Sequence, residues 1–185
     1  TADTMTIPVD DDPRFVVSPD HPLWGGRTLH SLYEEAHTPW AWHEELFALG
    51  AELGIVVFST PFDDAAVDLL ESLGAPAYKI ASLELVDLPL IRRVAATGKP
   101  VILSTGAAVV SEIDEAVRAA RDAGCEDLVV LACTSSYPAP PEQTNLRSIP
   151  VLADAFDVVV GLSDHTMGTA VSTASRRAAT ERPKR

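Results

Sequence analysis

Short apolar runs recur along the chain, and each ends at polar or ionisable side chains. Five such runs, rich in β-branched residues, lie at 55–58, 76–78, 100–103, 128–131 and 158–160. Their polar ends are 59–63, 79–82, 104–106, 133–137 and 163–166. Helix-like stretches separate the runs, which predicts parallel strands joined by helices. The carboxyl ends of such strands share one face, so these polar side chains should gather there.

The stretches between the runs carry helix signals. Predicted helices cover 30–53 with an interruption at Thr38-Pro39, 65–73 after a cap at Asp63, 88–96, 111–123 after a cap at Ser111, and 145–156. Asp, Ser and Thr favour the cap position, and Pro favours the first turn. Residues 1–26 hold several prolines without periodicity, which predicts a long loop.

Alternating strands and helices fit two architectures, a (β/α)8 TIM barrel and an open doubly wound sheet. The sequence has no Gly-x-Gly-x-x-Gly phosphate loop, which weakens the dinucleotide-binding interpretation. Polar residues follow every run rather than a single switch point, and this favours the α/β barrel. A complete barrel has eight strands in about 250 residues. With five runs, the chain is either part of a barrel or a different fold.

Composition excludes several classes of protein. The chain has 185 residues, 46% of them hydrophobic and 22% charged, which is typical of a soluble globular domain. No apolar run reaches the ~18 residues of a membrane span, and the first residues do not resemble a secretory signal. The two cysteines match no metal-binding spacing, so we expect reduced thiols and a cytoplasmic protein. A net charge of −13 argues against general binding to nucleic acid.

The charge is distributed unevenly, and this suggests a boundary near residue 170. Five basic residues crowd the last ten positions: Arg176, Arg177, Arg182, Lys184 and Arg185. We predict one domain over 1–170 and a basic tail over 171–185 that is disordered or foreign to the rest of the chain.

Lys79 is the first candidate for chemistry, because it lies within an apolar run between Tyr78 and Ile80. A buried ammonium needs a partner, and the phosphate or carboxylate of a substrate would provide one. A salt bridge within the protein is the alternative. Schiff-base chemistry of an aldolase is a further use of a strand lysine, and trapping with borohydride and pyruvate would test it.

Hydroxyl groups at the ends of the runs form the second set of candidates. They are predicted to bind substrate anions and belong to Thr60, Ser82, Ser104, Ser135, Tyr137 and Ser163. Any one of them could instead cap a following helix. As a set at strand ends, however, they indicate an anion-binding site lined by hydroxyl donors. Cys133 faces the same site by its position and is added to the substrate-binding set.

His165 is the candidate metal ligand, because imidazole suits manganese and similar ions. The neighbouring Asp164 is predicted to be catalytic or to orient the site. A lone histidine is often structural, but the sequence SDHT at 163–166 follows a predicted strand, and this favours a ligand.

Five motifs occur in order at barrel spacing, and together they resemble the sialic acid synthase family. They are FSTPFD at 58–63, PAYKIAS at 76–82, TGKPVILSTG at 97–106, CTSSYP at 133–138 and GLSDHT at 161–166. Each motif alone is weak. Residues 1–6 and the stretch from Leu32 to Trp40 are more similar to the pseudaminic acid synthase branch than to the N-acetylneuraminate branch.

The resemblance implies a phosphoenolpyruvate-dependent synthase that condenses this substrate with an amino sugar aldehyde and releases phosphate. In the pseudaminate branch the sugar is 2,4-diacetamido-2,4,6-trideoxy-L-altrose. A divalent metal, Mn or Mg, activates the sugar carbonyl. Members are homodimers in which a C-terminal antifreeze-like domain of one subunit covers the barrel of the other. Synthases of N-acetylneuraminate or legionaminate, which use an N-acetylmannosamine-type sugar, are the alternative.

The sequence departs from the family pattern at both ends. The family's first two strands, with a Glu and a Lys-x-Gln motif, are missing, as is a later strand with the second metal-binding His. The resemblance therefore implies an incomplete TIM barrel of about five β/α units. Residues 1–170 would form this partial catalytic domain, and 171–185 would be a divergent basic tail, disordered or frameshifted. We expect poor metal affinity and an inactive chain on its own. A non-catalytic barrel fragment is the third interpretation.

Overall fold

A computed structural model describes residues 12–180, without the side chains of 179 and 180. Within these residues the chain divides into two units. The first comprises 12–57 and 61–73, and the second comprises 58–60 and 74–180.

The first unit is helical. A 3-10 turn at Pro13–Phe15 precedes three helices: α1 at Leu29–Ala36, α2 at Trp40–Leu53 and α3 at Asp64–Ser72. The predicted interruption at Thr38-Pro39 is confirmed, because α1 and α2 meet there. The Asp63 carboxylate accepts a hydrogen bond from the Ala66 N–H at 2.7 Å. The predicted cap of α3 is therefore confirmed. Of the predicted loop, residues 1–11 lie outside the described residues.

The second unit contains a four-stranded sheet in the order β1-β2-β3-β4, with every pair parallel. The strands are β1 at Tyr78–Ile80, β2 at Val101–Ser104, β3 at Leu128–Cys133 and β4 at Val159–Ser163. Helices alternate with them: α4 at Leu88–Ala95, α5 at Val110–Asp122, α6 at Ser148–Phe156 and α7 at Ala170–Thr180. Sequential parallel strands joined by helices form a section of a β/α barrel, as predicted.

The register separates an apolar face of this sheet from a face that carries polar residues. Side chains on one face are buried and apolar: Tyr78, Ile80, Val101, Leu103 and Val130. The alternate positions form the other face, since successive side chains point to opposite sides. There Lys79 pairs with Ile102, Ser104 with Leu131, and Cys133 with Ser163. The pleat thus directs the polar positions to a shared side.

The first of the five predicted strands differs in the structure. Residues 55–58 form no ladder within the described chain, and only Ser59 makes a parallel bridge to Tyr78. The Ile55 N–H instead bonds to the Gly50 carbonyl at 2.8 Å, which completes the C-terminal end of α2. Val56 is 73% exposed, so little apolar burial stabilises a strand here.

The predicted tail also differs from the structure, because helix α7 occupies Ala170–Thr180. Alanine favours helices, and α7 packs against α6 and β4. Residues 171–180 are therefore helical rather than disordered, whereas residues 181–185 lie outside the described residues. Within residues 12–180, no helix combines the length and apolar character needed to cross a membrane.

Candidate active site

Lys79 lies at the centre of β1, on the polar-bearing face of the sheet. Its ammonium is half-buried and makes no hydrogen bond or ion pair with the residues that the structure describes. Burial lowers the pKa of Lys79 from its ordinary value, and the nearby Cys133 and Glu84 partly oppose that shift. A partly desolvated cation without an ion pair favours an anionic ligand.

Ser82, Gly106 and Cys133 connect the ends of three neighbouring strands. The Gly106 N–H donates to Ser82 Oγ at 3.1 Å, and Ser82 Oγ donates to Cys133 Sγ at 3.7 Å. A Cβ atom on Gly106 would lie 2.5 Å from Ser135 Oγ and 2.9 Å from Cys133 Sγ. Only glycine lets the loops approach this closely. Three of the predicted substrate-binding residues, Ser82, Cys133 and Ser135, thus lie around this glycine.

Ser104 ends β2 on the same face as Lys79. It is 1% exposed, and its Oγ has no hydrogen-bond partner among the described residues. A buried hydroxyl without a partner costs about 1–3 kcal/mol. A ligand oxygen at this position would remove that cost, which fits the predicted role of Ser104.

His165 is held in one orientation by its neighbours. Its Nδ1 lies 2.8 Å from the Thr134 carbonyl oxygen, which only accepts, so Nδ1 carries the proton. Nε2 therefore presents its lone pair, and Ser163 Oγ donates to it at 3.3 Å. The Tyr137 ring lies 4.2 Å from the His165 ring, centroid to centroid. These contacts bring three predicted residues together at the end of β4.

The described residues do not by themselves make a metal site. A proton on Nδ1 and a lone pair on Nε2 are the arrangement of a histidine ligand. However, no group of three or more His, Cys, Asp or Glu side chains within residues 12–180 could hold an ion. A catalytic metal needs about three protein ligands, and His165 supplies one.

Asp164 is occupied by local hydrogen bonds. Its Oδ1 accepts from the Thr166 N–H at 2.9 Å and from Thr166 Oγ1 at 2.8 Å. Its Oδ2 accepts from the Ser172 hydroxyl of α7. The bond from Ser172, followed by those from Thr166, lowers the pKa of Asp164. These contacts tie β4 to α7, so the geometry gives Asp164 a positioning role. Its predicted catalytic role stays a prediction.

Thr60 and Tyr137 are the predicted residues with the loosest placement. Thr60 follows the bridge at Ser59, and no hydrogen bond links it to the rest of the described site. Tyr137 is 77% exposed, although it contacts His165. Glu84 is not among the predicted site residues, yet burial raises its pKa, and Lys79 acts on it electrostatically in the opposite direction. The signal for Glu84 was its place two residues after Ser82.

We expect Asp164→Asn to destabilise the second unit by about 1 kcal/mol at pH 7, because charged acceptors make the stronger hydrogen bonds. Asp164 has a lowered pKa when folded, so its contribution is present above its unfolded pKa of about 3.9 and is lost as the pH falls through the folded value. Urea unfolding at pH 7 and at pH 3 checks this. The difference in unfolding free energy between the wild type and Asp164→Asn should be smaller at pH 3 than at pH 7. The control variant Asp154→Asn, at an exposed position, should show little effect at either pH. Equal losses from both variants would contradict the role of Asp164.

Both the sequence and the fold are similar to those of known proteins. The sequence matches the model of the NeuB family over residues 1–180. It is 44% identical over 169 residues to pseudaminic acid synthase of Helicobacter pylori, which covers 91% of this chain and 49% of that protein. It is 42% identical over 135 residues to N,N'-diacetyllegionaminic acid synthase of Campylobacter jejuni, which covers 72% of this chain and 40% of that protein.

Among solved structures, the fold is similar to N-acetylneuraminic acid synthetase of Leptospira borgpetersenii in complex with citrate. The TM-score is 0.77 at 30% identity, over 80% of this chain and 52% of that one. Polar residues lie in or directly after the strands of the parallel sheet and form a polar rim: Lys79, Ser82, Ser104, Cys133, Ser163 and His165. A parallel sheet with such a rim defines a section of an α/β barrel. The chain belongs to the NeuB family. It spans about half the length of the curated relatives it matches.

Proposed function

We propose that this chain forms part of a phosphoenolpyruvate-dependent synthase of nonulosonic acids. The substrate pair would be phosphoenolpyruvate and 2,4-diacetamido-2,4,6-trideoxy-L-altrose, and the products pseudaminic acid and phosphate. Family membership over residues 1–180 and the 44% identity to a pseudaminic acid synthase support this reaction.

The observation that carries the proposal is the Lys79 ammonium, which is half-buried and has no ion pair among the described residues. The buried Ser104 hydroxyl on the same face adds a donor without a partner. Phosphoenolpyruvate is a small dianion or trianion with a carboxylate and a phosphate, so it suits a cation surrounded by hydroxyls. The related synthetase of known structure was solved with citrate, another small polyanion.

The proposed reaction forms one C–C bond and breaks the C–O bond between C2 and the phosphate. C3 of phosphoenolpyruvate attacks the sugar aldehyde, a C–C bond forms, and the carbonyl oxygen takes up the electron pair and a proton. Water adds at the cationic C2, and the C2–O bond to phosphate then breaks to give the keto acid. Lys79, Ser82 and Ser104 would hold the anion, and positioning is their main contribution. Among residues 12–180, His165 is the side chain that would offer a ligand to a divalent metal, Mn or Mg.

The identity of the sugar is the finer part of the proposal. Pseudaminic acid synthase of H. pylori matches over 91% of this chain, and the legionaminic acid synthase over 72% at similar identity. The longer match favours the pseudaminate sugar. N-acetylmannosamine-type sugars are the second candidate.

A non-catalytic barrel fragment is the competing function, and a specific observation favours it for the isolated chain. Val159 of the last described strand is 65% exposed, and β4 pairs only with β3 among the described strands. An open edge of this kind invites pairing with another segment.

Two assays separate these functions. Calorimetry measures binding of phosphoenolpyruvate to the chain, and phosphate release is followed with phosphoenolpyruvate plus each candidate sugar, with Mn²⁺ present. Binding with sugar-dependent phosphate release supports the synthase, and the preferred sugar identifies the product. Binding without turnover supports a fragment that keeps the anion site. Absence of binding contradicts the proposed function.

The affinity for phosphoenolpyruvate is expected to fall as the pH rises. The decrease should begin at a lower pH than for a lysine with the ordinary pKa of 10.5. Burial lowers the pKa of Lys79, so its ammonium is lost earlier than that of an exposed lysine. The phosphate has ionised by pH 7, so the ligand does not change charge over this range. Calorimetry from pH 7 to 10 checks this. An affinity that stays constant over the whole range would contradict the role of Lys79.

A further inference from the structure

The two cysteines of the chain are both free thiols in different surroundings. Cys125 is 5% exposed, and its Sγ donates to the Asp127 carbonyl at 3.5 Å. Cys133 ends β3 and is only partly buried. A soluble oxidant therefore reaches Cys133 more readily than Cys125.

The neighbours of Cys133 are the groups proposed to hold the anion. Its Sγ lies 3.7 Å from Ser82 Oγ and 3.9 Å from His165 Nδ1. Lys79 interacts with it electrostatically, and Ser163 pairs with it across β3 and β4. Any atom added to this sulfur changes the space and charge next to Lys79.

The space around the sulfur limits where an added atom goes. On the Gly106 side even a methyl carbon would lie 2.9 Å from Sγ and 2.5 Å from Ser135 Oγ, so this side is filled. An added oxygen therefore finds no room on that side, and Cys133 shares the polar-bearing face of the sheet with Ser104 and Lys79. The Ser104 hydroxyl, 1% exposed and without a partner, independently indicates a polar ligand position on that face.

From these contacts we infer that Cys133 is the peroxide-sensitive thiol of this chain and that its oxidation blocks the anion site. The claim that oxidation blocks the anion site rests on the proposed function. The sulfur attacks hydrogen peroxide, an S–O bond forms and the O–O bond breaks. The departing hydroxide takes up the thiol proton and leaves as water. Sulfur is oxidised to sulfenic acid, peroxide is reduced, and a thiol such as dithiothreitol reverses the change.

The first test measures selectivity. The full chain is treated with hydrogen peroxide in the presence of dimedone, which traps sulfenic acid, and labelled peptides are quantified by mass spectrometry. Labelling of Cys133 should exceed that of Cys125 at least about tenfold, and phosphoenolpyruvate should suppress it. Equal labelling, or labelling of Cys125 first, would overturn the inference.

The second test measures the consequence for binding. Peroxide should weaken phosphoenolpyruvate binding about tenfold or more in the wild type and in Cys125→Ser, and dithiothreitol should restore it. Peroxide should leave the affinity of Cys133→Ser at the value of the untreated variant, because a serine hydroxyl is not oxidised. Loss of binding in peroxide-treated Cys133→Ser, or full binding by labelled wild type, would overturn the blocking effect. If untreated wild type does not bind, the proposed function and the blocking effect fail together, and the labelling ratio alone decides the reactivity of Cys133.

Discussion

Replacing Lys79 with methionine is expected to weaken phosphoenolpyruvate binding about 10- to 100-fold. The change removes the one cation that the structure places on the polar-bearing face among residues 12–180. A hydrogen bond to a charged group contributes about 1.5–3 kcal/mol, which corresponds to this range of affinity. Calorimetric titration of the variant measures the loss directly.

The same substitution is expected to leave folding stability unchanged or to raise it. Burial disfavours the charged form of Lys79, and methionine fills a similar volume without that cost. Loss of binding together with retained stability distinguishes a ligand-binding lysine from a structural one. Urea unfolding supplies the second measurement. A large loss of stability would indicate that Lys79 has a structural partner instead.

Lys99→Met is the matched control, because Lys99 is one of three lysines in the chain and precedes β2, whereas Lys79 lies within β1. Its ammonium lies 5.8 Å from the centre of the Tyr78 ring. Both variants change the net charge equally, so a general electrostatic effect would weaken binding in both. Only the Lys79 variant should lose affinity.

Gly106→Ala is expected to cost about 1–3 kcal/mol of stability, the usual cost of overpacking, and to weaken anion binding. The new Cβ would lie 3.1 Å from the Ser135 backbone nitrogen as well as close to Ser135 Oγ and Cys133 Sγ. Backbone cannot yield as a side chain does, so the loops after β2 and β3 must separate. Separation also breaks the bond from the Gly106 N–H to Ser82 Oγ.

Gly161→Ala tests whether this effect is specific to the rim. Gly161 pairs with Leu131 within the sheet, and a Cβ there would meet only Leu131 Cδ2, at 3.0 Å. The end of a leucine side chain moves easily, so we expect a smaller loss of stability than for Gly106→Ala and little loss of binding. Unfolding and calorimetric titration of both variants provide the comparison. Equal effects on binding would contradict a special role for the approach at Gly106.

Local features were read correctly where neighbouring residues decide them. The cap at Asp63 and the interruption at Thr38-Pro39 depend on contacts within a few residues. The prediction of where α5 begins was less accurate. The helix begins at Val110, and the Glu112 carboxylate accepts from the Val109 N–H at 2.8 Å. Ser111 was predicted as the cap, but a side chain from within the first turn satisfies the backbone instead.

Pairing and burial could not be read from the pattern. The run at 55–58 has the composition of a strand, yet no described strand pairs with it. Asp164 was placed in the site by its neighbours in sequence, whereas Ser172 of a later helix holds its carboxylate. Strand pairing and hydrogen bonds such as that from Ser172 to Asp164 join residues that are distant in sequence. The periodicity of side chains along the chain therefore cannot predict them.

The sequence by itself determined the order of the four strands, the helices between them and the polar side chains at the ends of those strands, because a period of two and short-range capping are properties of consecutive side chains. Tertiary structure alone decided which rim residues have partners. Register sets Lys79, Ser104 and Cys133 on one face, the Thr134 carbonyl selects the tautomer of His165, and packing leaves Ser104 Oγ buried without a partner. Desolvation depends on every surrounding atom, and so the chemistry of this rim emerges only in the folded chain.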